Sequence, residues 1–250
     1  MILRETPERA IGTYTWSSAF AVSRVLDACE NTLEPILGKL QGMNVVELGA
    51  GTGFCGMTAA LQQANAIVTD LPGDIIRNTQ ESVNLNNDAI QKYGGYVRVD
   101  TLEWGNDGQA ETVLAGLNGS LHLIVAADVV YKDTLFDKLL HTIEMLVSYS
   151  TEEAYFLLGY LERDRKEVTF FEKLYSLGFQ VVRFWGHSPA SLSKFISSKG
   201  ATEQILGEAS LLNTEDLSST TINRLQKCLI ESNDKSCVLL FKYQGKHGYS

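Results

Sequence analysis

From residue 43 to residue 185 the chain alternates short apolar runs, rich in β-branched residues, with longer stretches whose apolar positions recur every three or four residues. Such alternation is the pattern of βαβ units and predicts a parallel sheet covered by helices. Strands are expected at 44–48, 66–70, 96–99, 121–127, 155–159 and 179–185, with helices at 54–63, 74–86, 132–148 and 163–177. In the last helix Val168, Phe171, Leu174 and Tyr175 return at three- and four-residue steps, so one face is apolar. A further strand at 238–243 makes seven, and the expected fold is a doubly wound, mostly parallel α/β sheet.

Two segments fall outside that alternation. Residues 17–29 read as a helix through Phe20, Val22, Val25 and Leu26, with Ser17 or Ser18 as N-cap, expected to pack over the edge of a ligand site. Residues 186–235 are Ser-rich, with one expected helix at 218–232. A connection of that length is expected to be functional or mobile rather than inert. At 250 residues the chain is expected to form one domain. Its parts are an N-terminal helical segment (1–42), a core (43–185), an insert (186–235) and a final strand (236–243).

Charge narrows the partners. A net charge of −9 with no Lys/Arg stripe argues against nucleic acid and favours a basic partner. The first nine residues carry acids and arginines where a leader would be apolar, and no run of about 18 apolar residues occurs. A cytoplasmic protein without membrane contact is therefore expected. Cys29, Cys55, Cys228 and Cys237 lack pair or framework spacing and are expected as free, mostly buried thiols. His122, His141, His187 and His247 lack metal-ligand spacing, and no metal is expected.

The densest chemical signal is VVELGAGTGFCG at 45–56, an apolar strand running into a glycine turn that opens a helix. Glycines there allow positive φ and let backbone approach a ligand closely. Gly51, Gly53 and Gly56 also satisfy GxGxxG, so the glycines alone leave a nicotinamide cofactor open. Glu47 at the strand end, with Gly49 ahead of that match, favours S-adenosylmethionine: a carboxylate suits its cationic amino-acid end and would repel a pyrophosphate. Asp70 closes the next strand, where it either accepts both ribose hydroxyls or serves as a helix N-terminal acid before Pro72. Asp128 and Tyr131 follow the strand at 121–127 and should face the cleft at the carboxyl ends of the strands. The alternatives are a helix cap and a packed aromatic.

Taken together, WSSA at 16–19, VVELGAGTG at 45–53, Thr69-Asp70, LEWG at 102–105 and ADVVY at 127–131 resemble the seven-β-strand, family 16 methyltransferases. These include lysine methyltransferases acting on elongation factors, chaperones and AAA-ATPases. The resemblance covers about residues 12 to 185 and returns at the last strand. Its most diagnostic part is Asp-x-x-Tyr at 128–131, and YLERD at 160–164 with Phe170 and Phe171 matches more weakly. It implies a Rossmann-like methyltransferase fold, S-adenosylmethionine as cofactor and protein-lysine N-methylation. It also implies cofactor contacts from Trp16, Gly49, Gly51, Asp70, Trp104 and Ala127, with Trp104 against the adenine. Glu47 and Gly53 join that set from the glycine turn, and Asp128 and Tyr131 take the catalytic positions. The expected substrate is a protein with a basic region around its target lysine, and the enzyme is expected as a monomer. Another protein side chain, a small molecule, or a cofactor-binding role with little catalysis remain the other readings. In one departure from the family, an Asn pair spaced by four becomes Ser82 and Asn86, and in another the 186–235 segment is longer than usual.

Overall fold

A computed structural model describes residues 1–5, 11–150, 153–186, 190–199 and 236–245. The chain begins with three helical segments, α1 (Ser17–Asp27), α2 (Cys29–Thr32) and α3 (Glu34–Leu37). Strands and helices then alternate as β1 (Asn44–Leu48), α4 (Phe54–Leu61), β2 (Asn65–Asp70), α5 (Asp74–Tyr93), β3 (Tyr96–Thr101) and α6 (Asp107–Ala115). The second half runs β4 (Leu123–Ala127), α7 (Phe136–Ser148), β5 (Tyr155–Leu161), α8 (Val168–Ser176), β6 (Phe179–Gly186), α9 (Ala190–Ser198) and β7 (Ser236–Tyr243). Among the described residues the strands form one sheet in the order β3-β2-β1-β4-β5-β7-β6. Every neighbouring pair is parallel except those of β7, which lies antiparallel between β5 and β6. Chain order reverses between β1 and β4, and open α/β sheets bind ligands at such a switch point.

Both faces of the sheet are buried, which is why the central strands are apolar almost without interruption. Val46, Leu48, Ile124, Ala126, Phe156 and Leu158 pack into one layer with Val113 of α6, Leu139 of α7 and Phe170 of α8. Val45, Leu123, Val125 and Leu157 point the other way, into a layer with Val22 and Leu26 of α1, Cys55 and Met57 of α4, and Ile90 of α5. Successive residues of a strand alternate faces, so each strand serves both layers.

Differences from the sequence reading have local causes. Helix α5 runs on to Tyr93 instead of stopping near residue 86. The Asn and Asp residues at 84, 86, 87 and 88 are modest helix formers, but buried Ile90 keeps the helix packed until Gly94, at φ 87°, ends it. Helix α6 has only two buried residues, Ala110 and Val113, too few for a visible apolar period. The N-cap of α1 is Trp16, without a side-chain cap bond; Ser17 is already helical and its hydroxyl meets that of Ser236. Within the insert α9 is helical, while the helix expected at 218–232 lies outside the described residues. Cys29, Cys55 and Cys237 are buried free thiols, and no described helix is long and apolar enough to cross a membrane.

Residues 1–5 are held by one face of α5. Asn86 Oδ1 accepts from the Ile2 amide at 2.7 Å and its Nδ2 donates to the Ile2 carbonyl at 2.6 Å. Ser82 Oγ accepts from the Arg4 amide at 3.0 Å, and Asn78 Nδ2 donates to the Arg4 carbonyl at 2.9 Å. Steps of four along a helix keep these three side chains in register with every second residue of the docked segment. Ser82 thus does useful docking at the position where the family pattern has Asn.

Candidate functional site

A cavity of about 570 Å³ opens at the carboxyl ends of β1, β2 and β4. Its walls come from the turn after β1, from Asp70 and Leu71, from Glu103 and Trp104, from the stretch Ala127 to Tyr131, and from Arg163 beyond β5. Gly12, Tyr14, Thr15 and Trp16 close it from the N-terminal side. Thr15 fastens this strap: its hydroxyl meets that of Thr52 at 3.0 Å, and its amide donates to Glu5 Oε1 at 3.0 Å.

The glycine turn is shaped by its neighbours. Gly49 has φ 62°, and a Cβ there would stand 3.0 Å from both Trp104 Cζ2 and Val129 Cγ1. Gly51 has φ 56°, and a Cβ would come within 2.9 Å of the Gly12 carbonyl oxygen. Side chains at either position would face both backbone strain and collision, so the bare backbone there is a requirement of the turn.

Two buried acids bracket this turn. Asp70 Oδ2 accepts from the Gly51 amide at 2.7 Å and Oδ1 from the Leu71 amide at 2.7 Å. Burial raises its pKa, and those two N–H bonds oppose the rise. Glu47 accepts from the Gly56 amide at 2.7 Å. Burial dominates here, and the carboxyl is pushed up to about 8 despite N–H bonds from Gly56 and Cys55. Between its ordinary value of 4.5 and about 8, folded Glu47 therefore keeps a proton that the unfolded chain has released. Its stabilising contribution is full below the lower value and is lost as pH rises through the upper one. Glu47→Gln removes that dependence, so its melting temperature relative to the parent is expected to climb steadily from pH 5 to pH 8.5. A constant gap across that range in a thermal-melting series would show Glu47 ionised in the folded chain.

Asp128 follows β4 with φ 64°, a left-handed conformation that Asp tolerates better than most residues. Its amide donates to the Gly159 carbonyl at 2.9 Å, and its carboxylate caps no helix. Instead Oδ2 accepts from Arg163 Nη2 at 2.6 Å, with the Asp128 side chain 3% exposed. Its Oδ1 is buried without a partner. The Arg163 guanidinium lies 5.8 Å from the centre of the Trp16 ring. Tyr131 stands at the mouth, about half exposed, its phenol raised above the usual range by burial and by the carboxylates of Asp70 and Asp128.

The structure thus gathers Trp16, Glu47, Gly49, Gly51, Asp70, Trp104, Ala127, Asp128 and Tyr131 around one cavity. Gly53 is set apart, starting α4 with φ 77° and packing near Thr79, and does not line it. Arg163, like Glu103 and Lys138, is a charged residue of the lining that sequence reasoning left without a role. Its position just beyond the carboxyl end of β5 is the signal that could have placed it here.

Residues 1–177 match the lysine methyltransferase family, a span that includes every wall of this cavity. Protein-lysine N-methyltransferase rrg1 of Schizosaccharomyces pombe is 33% identical over 178 residues, covering 69% of this chain and 55% of that protein. EEF1A lysine methyltransferase 3 of Mus musculus is 34% identical over 134 residues, covering 54% of this chain and 52% of that one. The chain spans about half the length of these relatives. Among solved structures, the glycopeptide N-methyltransferase MtfA complexed with sinefungin superposes with a TM-score of 0.52 at 8% identity. The match covers 90% of this chain and 87% of that one, a likeness of fold alone. With the family's match running through the glycine turn, the acid after β2 and the Asp-x-x-Tyr segment, this chain belongs to the lysine methyltransferase family.

Proposed function

We propose that this chain is an S-adenosylmethionine-dependent protein-lysine N-methyltransferase, acting as a monomer in the cytoplasm on a protein such as an elongation factor or chaperone. The observation that carries the reading is the Asp128 carboxylate: one oxygen is neutralised by Arg163, the other is buried without a partner, and Trp16 and Tyr131 line the same cavity. A net charge of −9 suits a basic region around the target lysine.

The cavity fits the cofactor in size and chemistry. Its volume of about 570 Å³ lies within the range of small-molecule sites. Bare backbone at Gly49 and Gly51 admits close approach, and Trp104 with Leu71 and Leu102 offers an apolar wall for a base. Asp70, whose oxygens keep further lone pairs beyond the amides they accept from, would hold the ribose hydroxyls. Glu47 would face the cationic amino-acid end, with Ala127 and Trp16 completing the enclosure. Bound there, the cofactor supplies a sulfonium methyl group.

The residues of the chain have to present a neutral amine. Lysine's reference pKa of ~10.4 places that form about 3.4 units above pH 7, roughly 4.6 kcal/mol uphill. Closing the amine into an apolar cleft lowers that cost by desolvating the charged form. Asp128 Oδ1 then accepts a hydrogen bond from the amine and orients its lone pair, while Tyr131 and Trp16 flank the aliphatic stem. The proton released from the ammonium goes to solvent. We also assign part of substrate choice to residues 186–235, since the cavity already accounts for the cofactor.

Tritiated S-adenosylmethionine added with the protein to a cell extract tests the reading. One labelled protein band carrying methylated lysine is the expected result. Label confined to small molecules replaces the lysine acceptor with another, and the absence of any label leaves a cofactor-binding protein without transferase activity.

A further inference from the structure

Arg163 is fixed more firmly than a surface arginine at a cleft mouth. Its Nη2 donates to Asp128 Oδ2 at 2.6 Å and its Nη1 to the Leu161 carbonyl at 3.2 Å. Its backbone amide donates to Glu167 Oε2 at 3.0 Å, and the Tyr160 hydroxyl donates to that same oxygen at 2.8 Å. Glu167 is 4% exposed, so the turn carrying Arg163 is pinned from inside the protein. The guanidinium also faces the Trp16 ring. A cation is thus built into the place where a substrate ammonium would meet Asp128.

We propose that Arg163 is a positioning residue that sets the protonation state of the acceptor amine, by cancelling the charge of Asp128 through one oxygen while leaving the other free to accept a hydrogen bond. The inference rests on the protein-lysine reading above. A lone carboxylate beside a lysine head stabilises the ammonium, which has no lone pair to attack with. An opposite charge within about 4–6 Å raises or lowers a pKa by roughly 1–3 units. With Arg163 bonded to it, Asp128 still orients the amine but no longer rewards the proton. Burial works against the charge of the guanidinium, yet the bond to and charge of Asp128, joined by Glu167 and Tyr160, together outweigh it and the pKa of Arg163 rises further. Its charge therefore persists across the working range.

Other titratable groups line the same cavity. Asp70 and Glu47 lie on the cofactor side, Glu103 and Lys138 form a pair at 3.9 Å, and Tyr131 carries its phenol at the mouth. All of them are common to the parent and to variants at position 163. A difference in pH response between those proteins therefore reports on Arg163.

The test follows tritium transfer into the labelled lysine-bearing band from about pH 6.5 to 10, for the parent, Arg163→Met and Arg163→Lys. Arg163→Met is expected to show its rise in rate displaced upward by about one pH unit, with a deficit near pH 7.5 of roughly tenfold that narrows as pH rises. Arg163→Lys keeps the charge, so its rate falls through the lost fork geometry while its pH position stays with the parent. The double variant Asp128→Asn/Arg163→Met removes both charges, and its residual activity should return to the parent's pH position. The shift in melting temperature on adding S-adenosylmethionine, retained in each variant, shows the cofactor side intact. Equal loss at every pH in Arg163→Met overturns the proposal, and so does a gain at neutral pH, which would make Arg163 a plug that substrate displaces. If Arg163→Met does not fold, the double variant and Arg163→Lys decide: either one displaced from the parent's pH position overturns the proposal. If the parent itself labels no lysine, the functional reading fails and this proposal falls with it, an outcome visible before any variant is compared.

Discussion

Asp128→Asn is expected to cut methyl transfer by roughly 10²–10³-fold, the cost of removing one preorganised electrostatic partner. Melting temperature and cofactor affinity should stay near the parent's. The structure makes this a clean substitution. Asn tolerates the left-handed φ of 64° about as well as Asp, and its amide oxygen can still accept from Arg163 Nη2. What disappears is the negative charge. Attack of a neutral amine leaves nitrogen positively charged, and without Asp128 that developing charge faces Arg163 alone. Steady-state rates with a saturating labelled methyl donor, read beside calorimetric cofactor binding, separate the two sides of the cavity. Near-normal turnover would remove Asp128 from the chemistry, and lost cofactor binding would transfer it to the other end of the cleft.

Asp70→Ala is expected to weaken S-adenosylmethionine binding by roughly 10- to 150-fold, the loss of a charged hydrogen-bond acceptor worth about 1.5–3 kcal/mol. The Gly51 amide makes the upper end of that range the natural expectation. Asp70 Oδ2 holds this amide, so the variant loses the ribose acceptor and also unties the turn that the cofactor crosses. Stability should move much less, because burial already disfavours the charged form of Asp70 in the folded chain. Calorimetric titration decides: unchanged affinity with a collapsed melting point would leave Asp70 as a structural tie between β2 and the glycine turn.

The central strands were legible because both faces of the sheet are buried. Strand β1 was read at its observed bounds, and the other six were found to within a few residues at either end. Period-two burial on two faces leaves little room for polar residues, and polar stretches mark the ends. Helix α6 escaped because two buried side chains make no period, and α5 was cut short because its asparagines look like a stop when read locally. Asn78, Ser82 and Asn86 are better explained by the segment they hold, an interaction spanning more than seventy residues that no local window contains.

The site was legible where it sits on one motif and hidden where it is assembled from several. Glu47, Gly49, Gly51, Asp70 and Asp128 each end a strand or follow one, so position along the sequence already implied position at the carboxyl edge. Arg163 belongs to a loop whose partner, Asp128, lies 35 residues earlier; its place after β5 marks the cleft edge, but nothing local distinguishes it from Arg165 or says which carboxylate it will reach. The helix-cap alternative for Asp128 failed for the same reason. A carboxylate that finds a guanidinium from a neighbouring loop is no longer available to a helix end.

The place of β7 governs the order in which the sheet can be assembled. Among the described residues β6 pairs with β7 alone, and β7 fills the slot between β5 and β6. About fifty residues separate the end of β6 from the start of β7. On a ribosome adding on the order of 5–20 residues per second, β6 therefore waits several seconds for the strand that joins it to the sheet. During that interval β5 presents an open hydrogen-bonding edge flanked by Phe156 and Leu158, the kind of edge through which nascent chains associate. The half that carries the glycine turn, β1 to β4, can close beforehand. The edge nearest Arg163 and its supporting turn is therefore the last part of the sheet to be completed.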